Sequence, residues 1–121
     1  GIVSMFDGCS SLTDISSLNK WDTSTIKYTR KTFRSSGITS IESIKNWNTS
    51  NFLKTDEMFK SSKVENFKPL ENWDISNFET STNIFALTPT NRNIDLVPYD
   101  SWLSQKSGWS WNWNYSSFAS N

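Results

Sequence analysis

The sequence contains no histidine and one cysteine, Cys9. A zinc site therefore lacks its usual ligands, an intramolecular disulfide cannot form, and no imidazole is available as a general base. With 4 glycines there is no Gly-rich loop to cradle a phosphate. No apolar run approaches the roughly 20 residues of a membrane-spanning helix. Neither charge sign is in excess, with Lys plus Arg and Asp plus Glu at 12 each, so no net field favours nucleic acid or an anionic membrane. Hydrophobic residues are 35% of 121, too few for one large globular core.

What is present is a turn-rich chain with large rings. Ser, Thr and Asn supply roughly two-fifths of the residues, and these side chains bond readily to nearby backbone in turns. A disordered chain of this polarity would lack big apolar side chains. Here 7 Trp and 8 Phe make burial favourable.

The rings are periodic. Trp21, Trp47 and Trp73 lie 26 residues apart, and Phe6, Phe33, Phe59 and Phe85 follow at intervals of 27, 26 and 26. Smaller apolar residues keep the same register: Leu12, Ile38 and Val64; Ile15, Ile41 and Phe67; Leu18, Ile44, Leu70 and Leu96; and, with larger rings, Ile26, Phe52 and Phe78. After each large aromatic comes Asp22, Asn48, Asp74 or Asp100, which places Tyr99 in the fourth position of the Trp column. The expected structural ladder is thus Trp21, Trp47, Trp73 and Tyr99 beside Phe6, Phe33, Phe59 and Phe85.

Each unit reads in two halves. The first, such as 38–47, is Ile-rich and extended, although its apolar period of three is not that of a clean strand. The second, 24–33 and its equivalents, has the spacing of one helical face, with Asp22, Thr23 and Ser24 placed to bond its first amides. Neither half buries its apolar face alone, but stacked copies cover one another.

The stretches M-F-D-G-C at Met5 to Cys9 and W-D-T-S at Trp21 to Ser24 resemble the repeats of the BspA-like leucine-rich-repeat surface proteins common among mycoplasma lipoproteins. The resemblance runs from Ile2 to about Asp100. It implies an α/β fold, a right-handed leucine-rich-repeat-like solenoid of strand–helix units of about 26 residues. It also implies display at the cell surface or outside the cell, adhesion as the role, and no catalysis. The expected organisation is a repeat region over 1–100, some three and a half units, and a Trp-rich cap or binding strand over 101–121. Ile2, Met5 and Phe6 match the end of a unit, so the chain reads as a fragment of a longer lipoprotein.

Candidate ligand-binding residues fall in two groups. After Gly108, alternation puts Trp109, Trp111, Trp113 and Tyr115 on one face of an extended strand. That face serves either as a buried cap or as an exposed strip for a glycan or a protein. Lys27, Arg30, Lys31 and Arg34 would form a basic face on the first predicted helix, for an acidic partner or for pairing with Asp56 and Glu57 one unit later. Cys9 is expected as a small buried residue in a tight turn, with a reactive thiol as the alternative. With no metal site, no cofactor and no convergent nucleophile and base, the expectation is a non-catalytic module that binds host or neighbouring-cell macromolecules. The alternative is a structural subunit of a virion, appendage or larger surface complex, self-associating through the solenoid ends.

Overall fold

The computed structural model describes residues 1–90 and 92–120. Among them the regular elements are four short 3-10 helices (Ser16–Lys20, Glu42–Ile44, Lys68–Asn72 and Ile94–Leu96), one α-helix, α1 (Tyr99–Gln105), and two strands, β1 (Trp109–Asn112) and β2 (Ser117–Ser120). The expected α/β leucine-rich-repeat-like solenoid of strand–helix units is therefore overturned. This is a small domain with one α-helix and one two-stranded antiparallel sheet. The stretch 38–47 forms no strand and 24–33 forms no helix.

The period of three explains the first departure. A 3-10 helix has 3.0 residues per turn, so residues i and i+3 eclipse and share one face. Ile15, Leu18 and Trp21 are spaced in this way, as are Phe67, Leu70 and Trp73. Leu18 N–H donates to the Ile15 carbonyl at 2.9 Å and Trp21 N–H to the Leu18 carbonyl at 3.1 Å. Leu18, Ile44 and Leu70 are the buried residues of the first three 3-10 helices.

Competition for backbone donors explains the second. An isolated ten-residue helix rich in Thr is marginal, because nucleation is costly and β-branched side chains lose freedom in it. In the folded chain alternate amides bond sideways instead. Thr29, Lys31, Phe33 and Ser35 donate to the carbonyls of Lys54, Asp56, Met58 and Lys60, and Thr55, Glu57, Phe59 and Ser61 donate to those of Thr80, Thr82, Ile84 and Ala86. The amides in between close four-residue turns, as Thr32 does on Thr29 and Met58 on Thr55. Such turns require the left-handed region at Lys31, Ser35, Glu57 and Ser61, with φ between 55° and 60°, which no right-handed helix accommodates.

Residues sharing a sequence column are neighbours in space. Phe6 stacks on Phe33 and Phe33 on Phe59, each with centroids 5.6 Å apart. Trp21, Trp47 and Trp73 stack at 6.3 and 6.5 Å. Each buried indole N–H reaches one 3-10 helix back, Trp47 to the Leu18 carbonyl at 2.8 Å and Trp73 to the Ile44 carbonyl at 3.0 Å. The rings are thus fixed by a polar tie as well as by packing.

The fourth ring of that series is Trp102 of α1, and not Tyr99. Trp102 stacks on Trp73 at 6.4 Å, and its N–H donates to the Leu70 carbonyl at 2.9 Å. Gln105, one turn further along α1, accepts from Ile75 N–H at 2.8 Å and donates to the Trp73 carbonyl at 2.9 Å. These bonds seat α1, which follows the fourth 3-10 helix, against the end of the Trp series. Tyr99 is half-buried and faces Phe118 at 6.3 Å. One apolar core runs from Ile2 to Phe118 without a break near residue 100.

Candidate functional site

β1 and β2 form a hairpin against the last turn segment. They pair antiparallel with Trp111 opposite Phe118 and Trp109 opposite Ser120. Phe85 N–H donates to the Ser116 carbonyl at 3.2 Å, extending by one step the amide pattern that Phe33 and Phe59 follow. The Ser81 hydroxyl donates to the Phe118 carbonyl, and Phe118 is fully buried between Trp102 and Trp111, at 5.2 and 4.6 Å.

The four aromatics expected on one face are divided between two environments. β1 ends at Asn112, and the turn that follows breaks the alternation. Trp111 extends the Phe column, 6.4 Å from Phe85. Trp109 is half-buried beneath the Lys106 ammonium, 4.9 Å from its ring centroid. Trp113 and Tyr115, in the turn, remain 36% and 54% exposed. Trp113 stands edge-on to Trp111 at 5.3 Å.

Beside Trp113 lies an open cleft of about 230 Å³, bounded by Ala86, Leu87, Thr88, Arg92, Asn114 and neighbouring residues. Its shape follows from two departures in the sequence columns. Asp7, Arg34 and Lys60 are matched in the last segment by Ala86, which removes a long charged side chain and leaves space. Gly8, Ser35 and Ser61 are matched by Leu87, whose φ is 57° and whose surface is 76% exposed. Leucine at positive φ costs more than glycine there, and no apolar burial offsets it. These residues were not among the sequence-based candidates. The signal available was the break in two otherwise small or charged columns.

The basic group is dispersed. No helix aligns Lys27, Arg30, Lys31 and Arg34, and the pairing foreseen for Arg30 and Lys31 with Asp56 and Glu57 is replaced by other partners. Asp56 accepts from the Thr80 hydroxyl at 2.6 Å and from Thr82 N–H at 2.8 Å. Glu57 pairs with Arg34 at 2.9 Å and with Lys60 at 3.9 Å. Arg34 also grips both oxygens of Asp7, at 3.0 and 2.8 Å. Lys27 is exposed, while Arg30 and Lys31 are half-buried. Cys9 is exposed rather than buried.

Hydrogen bonds from Arg34 hold the Asp7 carboxyl below its usual range, against a smaller opposing effect of burial. Asp22 and Asp74 are lowered by the hydroxyl and then the amide of Ser24 and Ser76. These are the column positions expected to begin a helix. Each closes a turn on the serine two positions later instead, with side-chain contacts of 2.6 Å. A carboxyl whose folded pKa is depressed contributes stability above its unfolded pKa and loses it as pH falls through the folded value. The thermal midpoint is therefore expected to stay level from pH 7 to about 5 and to fall below about pH 4, the ordinary carboxylate range. Asp7→Asn should melt lower at pH 7 and lose less on acidification. Equal acid slopes in the two proteins would remove Asp7 from the account.

Among the described residues no helix is long and apolar enough to cross a membrane. No curated protein and no solved structure matches the chain. Residues 1–108 match the family described as Mycoplasma protein of unknown function, DUF285, and since this is well over half of the chain, the protein belongs to that family.

Proposed function

We propose that this protein is a non-catalytic binding module at the cell surface or outside the cell, holding a protein or glycan of a host or neighbouring cell. The observation that carries the reading is the exposed pair Trp113 and Tyr115 beside the open cleft. Burying these rings would be favourable, and the fold leaves them in water. The resemblance of the M-F-D-G-C and W-D-T-S stretches to BspA-like surface proteins, together with the family assignment, supports the same reading.

An array of glycans and extracellular-matrix proteins tests it. The expected result is retention of the full chain on a subset of spots, lost in the Trp113→Ser/Tyr115→Ser double variant while that variant still melts well above the assay temperature. Identical profiles for the two proteins, or no signal above an albumin control, would defeat the reading.

The second reading, a structural subunit, draws on the opposite edge. There Val3 and Met5 are 46% and 48% exposed next to the first Phe of the column. Assembly through that edge predicts concentration-dependent growth in sedimentation that Met5→Lys abolishes.

A further inference from the structure

We propose that the cleft beside the hairpin binds a carboxylate-bearing sugar residue of a polysaccharide, its ring against Trp113 and its carboxylate on Arg92. This rests on the reading of the hairpin face as a binding surface and specifies its ligand.

The charge of the cleft is one-sided. Arg92 is among its lining residues and no Asp or Glu is. The ion pairs among the described residues use Arg34, Lys45, Lys54, Lys60 and Lys68 and leave Arg92 out. A guanidinium has a rigid fork of donors that matches a carboxylate through two parallel hydrogen bonds. Arg92 is exposed and has φ of 62°.

The rest of the lining suits a ring that is apolar on its faces and polar around its rim. One face of a pyranose presents C–H groups that pack on an indole, and Trp113 offers an exposed one. Leu87 gives a second apolar wall, while Asn114 and Thr88 bring an amide and a hydroxyl, groups able to bond sugar hydroxyls. A volume of about 230 Å³ lies below the roughly 300 Å³ at which drug-sized pockets begin. The cleft therefore takes one ring of a longer chain. Its opening through Ala86 in place of the charged Asp7, Arg34 and Lys60 of the other segments is what makes that ring fit. An acidic peptide supplies the carboxylate but no flat apolar face for Trp113.

The test titrates the full chain with a glucuronic acid oligomer, a neutral glucose oligomer of equal length, and a capped triglutamate peptide. Calorimetry gives the affinities and the Trp113 indole resonance reports the site. The acidic oligomer is expected to bind about tenfold or more tightly than the neutral one, with the gap closing in Arg92→Gln and widening at low salt. Leu87→Ser, which installs the residue of the Ser35 and Ser61 column, should weaken binding without lowering the melting temperature, separating contact from folding. Equal affinity for the two oligomers would overturn the carboxylate assignment while leaving the binding surface standing. Triglutamate binding as tightly as the acidic oligomer would overturn the sugar. Silence of the Trp113 resonance toward all three would overturn the ligand class, and the array experiment would still decide separately whether the hairpin face binds anything.

Discussion

Trp73→Ala is expected to lower the free energy of unfolding by about 3–5 kcal/mol, the range for truncating a buried Trp. Trp73 is 1% exposed and stands between Trp47 and Trp102. It also meets Phe52 edge-on at 5.7 Å and Phe59 at 6.3 Å. Removing the indole opens a void touching four rings, and the two indoles among them, Trp47 and Trp102, held by their own N–H bonds, relax poorly into it. The Ile44 carbonyl loses its donor as well. Domains have only about 5–15 kcal/mol in hand, so the variant should be largely unfolded in low urea. Trp73→Phe restores part of the volume without the donor and should fall between the two. Urea titrations of the three proteins check the order. A loss below about 1 kcal/mol in Trp73→Ala would mean that the indole series does not hold the molecule together.

Gly37→Ala carries the second largest expected effect, and its cause lies one segment away. A Cβ at Gly37 would sit 2.3 Å from the Ser10 carbonyl oxygen and 3.1 Å from that of Leu12. Both are backbone atoms, so no side chain can swing aside. The crowding follows from one extra residue: Gly8 and Ser35 are matched positions with positive φ, yet three residues separate Gly8 from Leu12 and two separate Ser35 from Ile38. The longer connection presses Ser10 onto Gly37. In the next segment the matching position is Lys63, which is exposed and carries a full side chain. Overpacking of this kind costs about 1–3 kcal/mol or more. Deleting Ser10 removes the opposing carbonyl, so Gly37→Ala should cost less in that background than alone, a coupling expected only of residues in contact. Additive losses, or a neutral Gly37→Ala, would contradict the close approach.

The sequence was most informative where a periodic spacing and a spatial register are the same quantity. The order Phe6, Phe33, Phe59 and Phe85, and the run Trp21, Trp47 and Trp73, could be read from intervals alone and are the order in which the rings touch. It was least informative about local backbone. Apolar residues three apart are compatible with an extended stretch or a 3-10 helix, and spacing does not say which. The segment 24–33 had a helical face by pattern, but helix formation required its amides to bond within the segment. Alternate amides bond across to the next one instead, and those between them close local turns.

The binding face shows the same division. That Trp109, Trp111, Trp113 and Tyr115 form an aromatic tail was plain from residue order. Their separation into packed and exposed pairs depends on where β1 stops, and the turn after Asn112 decides that. The interval from Trp73 places Tyr99 in the Trp column. Trp102 takes the place because α1 rotates it there and Leu70 accepts its N–H. Arg34 was grouped with its helical neighbours by spacing and is held instead by Asp7 and Glu57, residues far off in sequence.

By itself the sequence determined the period, the ring columns, the absence of imidazole and of an intramolecular disulfide, and a polar chain rich in large rings. These are properties of residue type and interval, and they hold in any conformation. Only the tertiary structure decided which backbone amides bond sideways, which ring ends each column, and which aromatics remain in water. Those outcomes depend on donors and acceptors brought together from distant parts of the chain, and interval alone carries no record of that choice.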